Sequence, residues 1–147
     1  MDGITPQNRG QSRRYYSSNG QGLVEFAILI PLLILIVFGV LDLGRAFYAL
    51  ITITNAAREG ARLGTVSMNL RDGISVSEEQ AMKDAAVNEA VGAGVVISPA
   101  DVSIDCPSGC ARVNPLRVTV TYHFDLVMGV LYPAGLTLSR NIEMLIP

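Results

Sequence analysis

The sequence predicts an α+β fold, with a long N-terminal helix, then a second helix, then a small antiparallel sheet. Three observations lead there. An apolar stretch of membrane length, with the run Ala27–Leu41 at its centre, follows Gly20-Gln21-Gly22-Leu23-Val24-Glu25-Phe26. Behind it the pattern turns amphipathic without a break, as Thr52, Thr54, Asn55, Arg58, Glu59 and Arg62 enter on a helical period. The last third of the chain then alternates apolar and polar residues, the period of a half-buried strand.

The first helix is expected to run from near Gly22 to about Leu63, some 40 residues, or about 60 Å at 1.5 Å per residue. The hydrocarbon core of a bilayer is only about 30 Å thick, so the second half must project from the membrane as a stem. Pro31 removes a backbone donor and is expected to kink the helix, while Gly39 and Gly44 lower its stiffness. Ordinary membrane-helix composition and a functional hinge both fit these residues. Ala56, Gly60 and Gly64 stand at i, i+4 and i+8, with Ala57 and Ala61 alongside. This smooth stripe permits close backbone approach, either by the protein's own domain or by a neighbouring subunit.

From Thr65 to Ile74 the chain reads as a polar loop. A capping box, Ser75-x-x-Glu78 or Ser77-x-x-Gln80, then opens the second helix. Ala81, Met82, Ala85, Ala86, Ala90 and Val91 form its apolar stripe, Glu79 and Lys83 pair on its exposed face, and Gly92 and Gly94 end it. Leu116, Val118, Val120, Tyr122 and Phe124 share one face of a strand whose other face carries Arg117, Thr119, Thr121 and His123. Leu136, Leu138, Ile142, Met144 and Ile146 repeat the pattern with an interruption at Arg140, and Val102–Asp105 supplies a third short strand. The sheet is then apolar on one face, which the helices should cover.

Glu25 is the anomalous residue. A carboxylate at a bilayer centre costs roughly 2.5 to 3.5 kcal/mol on insertion scales and less near the edge, where Glu25 stands. Its cost in a lone membrane-inserted chain is modest, but burial in a bundle of packed apolar helices demands a partner charge. A newly cleaved N-terminus would supply one. The plain alternative is a snorkelling acid at the mouth of an uncleaved signal anchor.

Gly20, with Glu25 as the fifth residue after it and an apolar helix behind, resembles the prepilin-peptidase site of type IV pilin-like proteins. More closely, the segment Gln21 to Gly64 resembles the TadE-like family of tight-adherence (Tad) pilus assembly proteins. Val24-Glu25-Phe26, Pro31, Asp42-Leu43-Gly44-Arg45 and Asn55-Ala56-Ala57-Arg58-Glu59-Gly60-Ala61-Arg62 carry the resemblance. It implies a pilin-like fold, cleavage between Gly20 and Gln21 by a prepilin peptidase at the cytoplasmic face, and an assembly role for Glu25 and Phe26. Glu25 would meet the new amine of a neighbouring subunit. The organisation that follows is a polar, basic leader over residues 1–20, a transmembrane and stem helix over 21–64, and an extracytoplasmic α+β domain over 65–147.

The leader carries Arg9, Arg13 and Arg14 and lacks the apolar core of a secretory signal. Ala46-Phe47-Tyr48-Ala49 has the wrong spacing for signal-peptidase cleavage. Arginines both precede and follow the span, so charge alone leaves the orientation open. Half of the 147 residues are hydrophobic, but the excess lies in this one span, so the rest has the composition of a small globular domain. The formal net charge is -2, and removing the leader leaves 8 basic against 12 acidic residues. No basic patch with interleaved aromatics favours nucleic acid.

Cys106 and Cys110 are the only cysteines, and Pro107-Ser108-Gly109 between them is a turn sequence that can bring them together. In an exported domain they would oxidise to a disulfide. A redox or metal pair is the other reading, but C-x2-C spacing and further ligands are missing, and the sole histidine, His123, is distant in sequence and expected on the exposed polar face. No catalytic residues, phosphate loop, cofactor site or metal site is legible, and no enzyme is expected.

The expected function is that of a TadE-like minor pilin or pseudopilin in assembly of a Tad-type pilus. Its partners would be the membrane, the prepilin peptidase and other pilin or pseudopilin subunits, itself included. It would cross the cytoplasmic membrane once with its N-terminus inside, or stand in an extracellular pilus. Two alternatives are the main repeating subunit of a filament and a monomeric membrane-anchored binding domain.

Overall fold

The computed structural model describes residues 19–67, 73–111, 113–127, 129 and 134–147. The expected leader lies outside these residues except at its C-terminal end. In chain order the elements are helix α1 (Asn19–Ser67), helix α2 (Val76–Gly92), a 3-10 turn (Pro99–Asp101), and strands β1 (Val102–Asp105), β2 (Pro115–Phe124) and β3 (Leu136–Leu145). The chain divides into two compact units, 1–36 and 37–147.

Within the first unit, residues 20–36 of α1 are exposed throughout, including Leu23 at 72%. No described side chain covers this apolar surface, which is the condition of a helix that meets lipid or other helices. The helix passes through Pro31, at the cost of the backbone bond that a residue with an N–H would have made to the Ala27 carbonyl. Among the described residues, α1 is the one helix long and apolar enough to cross a membrane.

The second unit has a core of its own. Ala49, Ile53, Ala56, Ala57 and Ala61 form the buried stripe of α1, packed with Ala86 and Ala90 of α2 and with Val102, Val118, Val120 and Phe124 of the sheet. A second cluster joins Met82, Leu116 and Ile146, with Cys106 and Cys110 packed against it. Alanine on both helices keeps the layers close, while Ile53, Met82, Leu116, Val118 and Val120 are the largest side chains fully withdrawn from water. Each such aliphatic residue contributes about 1.5 to 3 kcal/mol through burial.

The sheet is antiparallel in the order β1-β2-β3. Val120 pairs with Val102 on one side and Arg140 on the other, and Val118 pairs with Ile104 and Ile142. Alternation in β2 sends Leu116, Val118, Val120 and Phe124 into the core. On the opposite face Arg117 is directly between Asp105 and Glu143 and binds both carboxylates, with Nη2 2.6 Å from Glu143.

Several expectations need correction. Helix α1 extends past Leu63, so Thr65 is helical and buried instead of opening a loop; its hydroxyl donates to the Ala61 carbonyl at 3.0 Å, which satisfies it inside the core. Val91 does not join the buried stripe of α2 and is 49% exposed, since the residue next to Ala90 points about 100° away around the helix. Its place is taken by Val95 and Ile97, which follow Gly94. Gly94 has φ +80°, and the turn it makes returns the Val95 amide to the Ala90 carbonyl at 2.9 Å. Leu136, expected with the apolar face of β3, is 41% exposed at the start of the edge strand.

Of the two possible capping boxes, Ser75 and Glu78 form the one present. The Glu78 amide donates to Ser75 Oγ at 3.3 Å, and the Ser75 amide donates to Glu78 Oε2 at 2.9 Å. The Ser75 hydroxyl also donates to Glu78 Oε2 at 2.6 Å. These bonds hold the Glu78 carboxyl below its ordinary value of 4.5, with the hydroxyl bond the leading cause and the backbone bond the next.

Candidate functional site

Gly20 and Gln21 occupy the first turn of α1, where backbone N–H groups lack intrahelical acceptors. A Cβ built on Gly20 meets nothing within 4 Å, so no packing among the described residues requires glycine there. Gln21 and Glu25 are one turn apart, and Gln21 Nε2 donates to Glu25 Oε1 at 3.3 Å. Glu25 therefore meets a neutral amide and no cation among the described residues. Phe26 beside it is exposed, as are the other apolar side chains of this segment. The arrangement offers one carboxylate at the end of a wholly apolar surface.

Further along α1, the stripe of small residues has a different environment. Ala56 is fully buried. A Cβ on Gly60 would stand 3.1 Å from the Met82 carbonyl oxygen and 3.4 Å from both Ala86 Cβ and Val118 Cγ1. One on Gly64 would overlap Met82 Sδ and lie 2.6 Å from Leu116 Cδ2. The protein's own α2 and β2 thus occupy this stripe.

Asp42 and Arg45 have roles that sequence reasoning missed. Asp42 is only 4% exposed, and its Oδ1 accepts the Val127 amide at 2.9 Å and Arg45 Nη1 at 3.1 Å. Arg45 also donates to the Asp125 carbonyl at 3.4 Å, and its guanidinium carbon is 5.0 Å from the centroid of the Phe124 ring. One carboxylate thereby ties α1 to the chain leaving β2. The available signal was an acid set directly after an apolar span, but its partner is 85 residues away in sequence.

Cys106 and Cys110 are joined by a disulfide with a Cα–Cα distance of 5.3 Å. Asn114 Nδ2 supports the closed loop by donating to the Ser108 and Gly109 carbonyls at 2.7 and 3.0 Å. His123 is exposed, with Nε2 3.6 Å from Asp125 Oδ1. Among the described residues, no group of three or more His, Cys, Asp or Glu side chains is placed to hold a metal.

Residues 20–62 match the family model described as TadE-like protein. The match opens on Gly20, includes Glu25, Asp42, Arg45 and Gly60, and ends before α2 and the strands. No curated protein and no solved structure matches the chain.

Proposed function

We propose, from the TadE-like match over residues 20–62, that this protein is a minor pilin or pseudopilin that takes part in assembling a Tad-type pilus at the cell envelope. The observation that carries the reading is Glu25: a carboxylate without a cationic partner among the described residues, at the edge of an exposed apolar helix and one turn from Gln21. The role is assembly rather than catalysis.

In this reading α1 first holds the chain in the cytoplasmic membrane, with the N-terminus inside and the second unit outside. A prepilin peptidase cuts between Gly20 and Gln21. The first helical turn favours access, because its N–H groups have no intrahelical bonds to break before the chain extends into a protease. The glycine is read there by the enzyme, since the described fold makes no use of it.

Cleavage frees the amine of Gln21. When helices pack side by side out of the bilayer, a lone buried carboxylate would be strongly unfavourable, and the amine of a neighbouring Gln21 offsets that cost at one axial register only. Apolar surface around Phe26 then drives association, and Glu25 sets the register. Because α2 and β2 already cover Gly60 and Gly64, subunit contacts fall to the exposed apolar residues of the first unit, from Leu23 to Ile36.

The test is intact-mass measurement of the protein recovered from its native membrane, with and without the peptidase. The expected result is a chain beginning at Gln21 only when the peptidase is present, with the mass of an uncyclised glutamine, because a cyclised one would have no amine to offer Glu25. A chain retaining residues 1–20 in both strains would refute the pilin pathway and leave a membrane-anchored domain.

A further inference from the structure

A groove of about 530 Å³ runs between α1 and β3 inside the second unit, lined by Phe47, Ile51 and Arg58 of the helix and Arg140, Asn141 and Ile142 of the strand, among others. Phe47 and Ile51 are 58% and 62% exposed, so the floor is apolar and open to water. Arg140, Asn141 and Ile142 are consecutive, and their side chains alternate between the two sheet faces. Arg140 and Ile142 pair with Val120 and Val118 and so share the helix-facing side of the sheet, and with Asn141 between them β3 forms one wall of the groove. As the outer strand, β3 carries N–H and C=O groups that no strand pairs.

The charges single out this groove. Arg45, Arg62, Lys83 and Arg117 each meet a carboxylate within the molecule. Arg58 and Arg140 do not meet one among the described residues, and both line the groove. A charge on an edge strand deters unwanted pairing, which would account for Arg140 alone. It does not account for a second guanidinium brought to the same groove by the helix.

We propose that this groove receives an extended acidic segment of a partner protein, which pairs with β3 as a fourth strand and sets its carboxylates against Arg58 and Arg140. Main-chain bonds to the strand edge would provide affinity, and the two guanidiniums and the apolar floor would select the sequence. The inference does not depend on the pilus reading, because every residue it uses lies outside the proposed processing site.

The experiment uses the full chain in uncharged detergent micelles and a fluorescent peptide of about seven residues alternating valine and glutamate, followed by anisotropy. Two comparison peptides replace glutamate with lysine, or keep glutamate but carry N-methyl groups on alternate backbone amides. The acidic peptide should bind, and both comparison peptides should bind more weakly by about tenfold or more. The Arg58→Gln/Arg140→Gln double variant should lose affinity by a similar factor while its thermal unfolding midpoint stays in place. Equal binding of acidic and basic peptides, insensitivity to N-methylation, or absence of binding would overturn the proposal. So would concentration-dependent self-association, seen by sedimentation, that excludes the peptide and disappears in the double variant, since the occupant would then be a second copy.

Discussion

Gly64→Ala tests how closely α1 approaches the rest of its domain. The added methyl would lie 2.6 Å from Leu116 Cδ2 and overlap Met82 Sδ, at a wall made of fully buried side chains. Overpacking of this kind costs about 1 to 3 kcal/mol. A glycine-to-alanine change within a helix also gains up to about 1 kcal/mol in propensity, which would obscure the result if measured alone. Gly44→Ala removes the ambiguity, because it is in the same helix and its added methyl meets nothing within 4 Å. The propensity gain is common to both variants, so their difference isolates the packing term. For a domain of about this size, 1 kcal/mol moves the unfolding midpoint by about 4 °C. Gly64→Ala should therefore unfold about 4 to 12 °C below Gly44→Ala. The assay is thermal unfolding of the full chain in micelles, followed by near-ultraviolet circular dichroism so that residual helix in the apolar segment does not mask loss of the core. If Gly64→Ala is as stable as Gly44→Ala or more so, the close approach of α1 to Met82 and Leu116 is wrong.

Three further outcomes are expected. Asp42→Ala removes a buried carboxylate that accepts from the Val127 amide and from Arg45, and should destabilise the domain by about 1 to 3 kcal/mol, while Asp42→Asn, which keeps an acceptor oxygen, should lose less; equal losses in denaturant titrations would contradict the hydrogen-bond account. Replacing both Cys106 and Cys110 by serine opens a short loop and should cost roughly 2 kcal/mol by the chain-entropy relation, read from the unfolding midpoint under non-reducing conditions. Because the folded-state value of Glu78 is depressed below 4.5, its stabilising contribution is complete above the unfolded value and is lost as pH falls through the folded one. A carboxyl titration by NMR should place Glu78 below the ordinary range and show it rising in Ser75→Ala, which keeps the backbone bond and loses the hydroxyl; an unchanged midpoint in that variant would rule out the Ser75 hydroxyl bond as the leading cause.

Much of the architecture was legible because it depends on local periodicity and local chemistry. The all-round apolar run could only be a helix without a soluble partner, and its change to an amphipathic pattern marked the stem. Val102–Asp105 and the alternating residues of β2 were readable as strands because side-chain direction follows a period of two. Ser75 and Glu78 were recognisable as a capping box, although the competing Ser77 and Gln80 pair had the same spacing and only the fold distinguished them. Gly20, Gln21 and Glu25 stood out for the same reason: their oddity lies in their immediate neighbours.

What the chain alone could not specify depends on residues distant in sequence. Thr65 reads as loop-forming until its hydroxyl is seen to bond the preceding turn in a buried helix. The smooth stripe at Ala56, Gly60 and Gly64 announces close contact but not with what; the answer is Met82, Ala86, Val118 and Leu116. Asp42 looks like a charge at the end of a span until Val127 arrives beside it, and Arg58 and Arg140 acquire a shared groove only when β3 is laid near α1. Period and composition state which face of a segment avoids water, and these are carried by each segment separately. Which faces meet, and which charges are left without partners when they do, is decided by the joint packing of all the segments, and only the tertiary structure contains that solution.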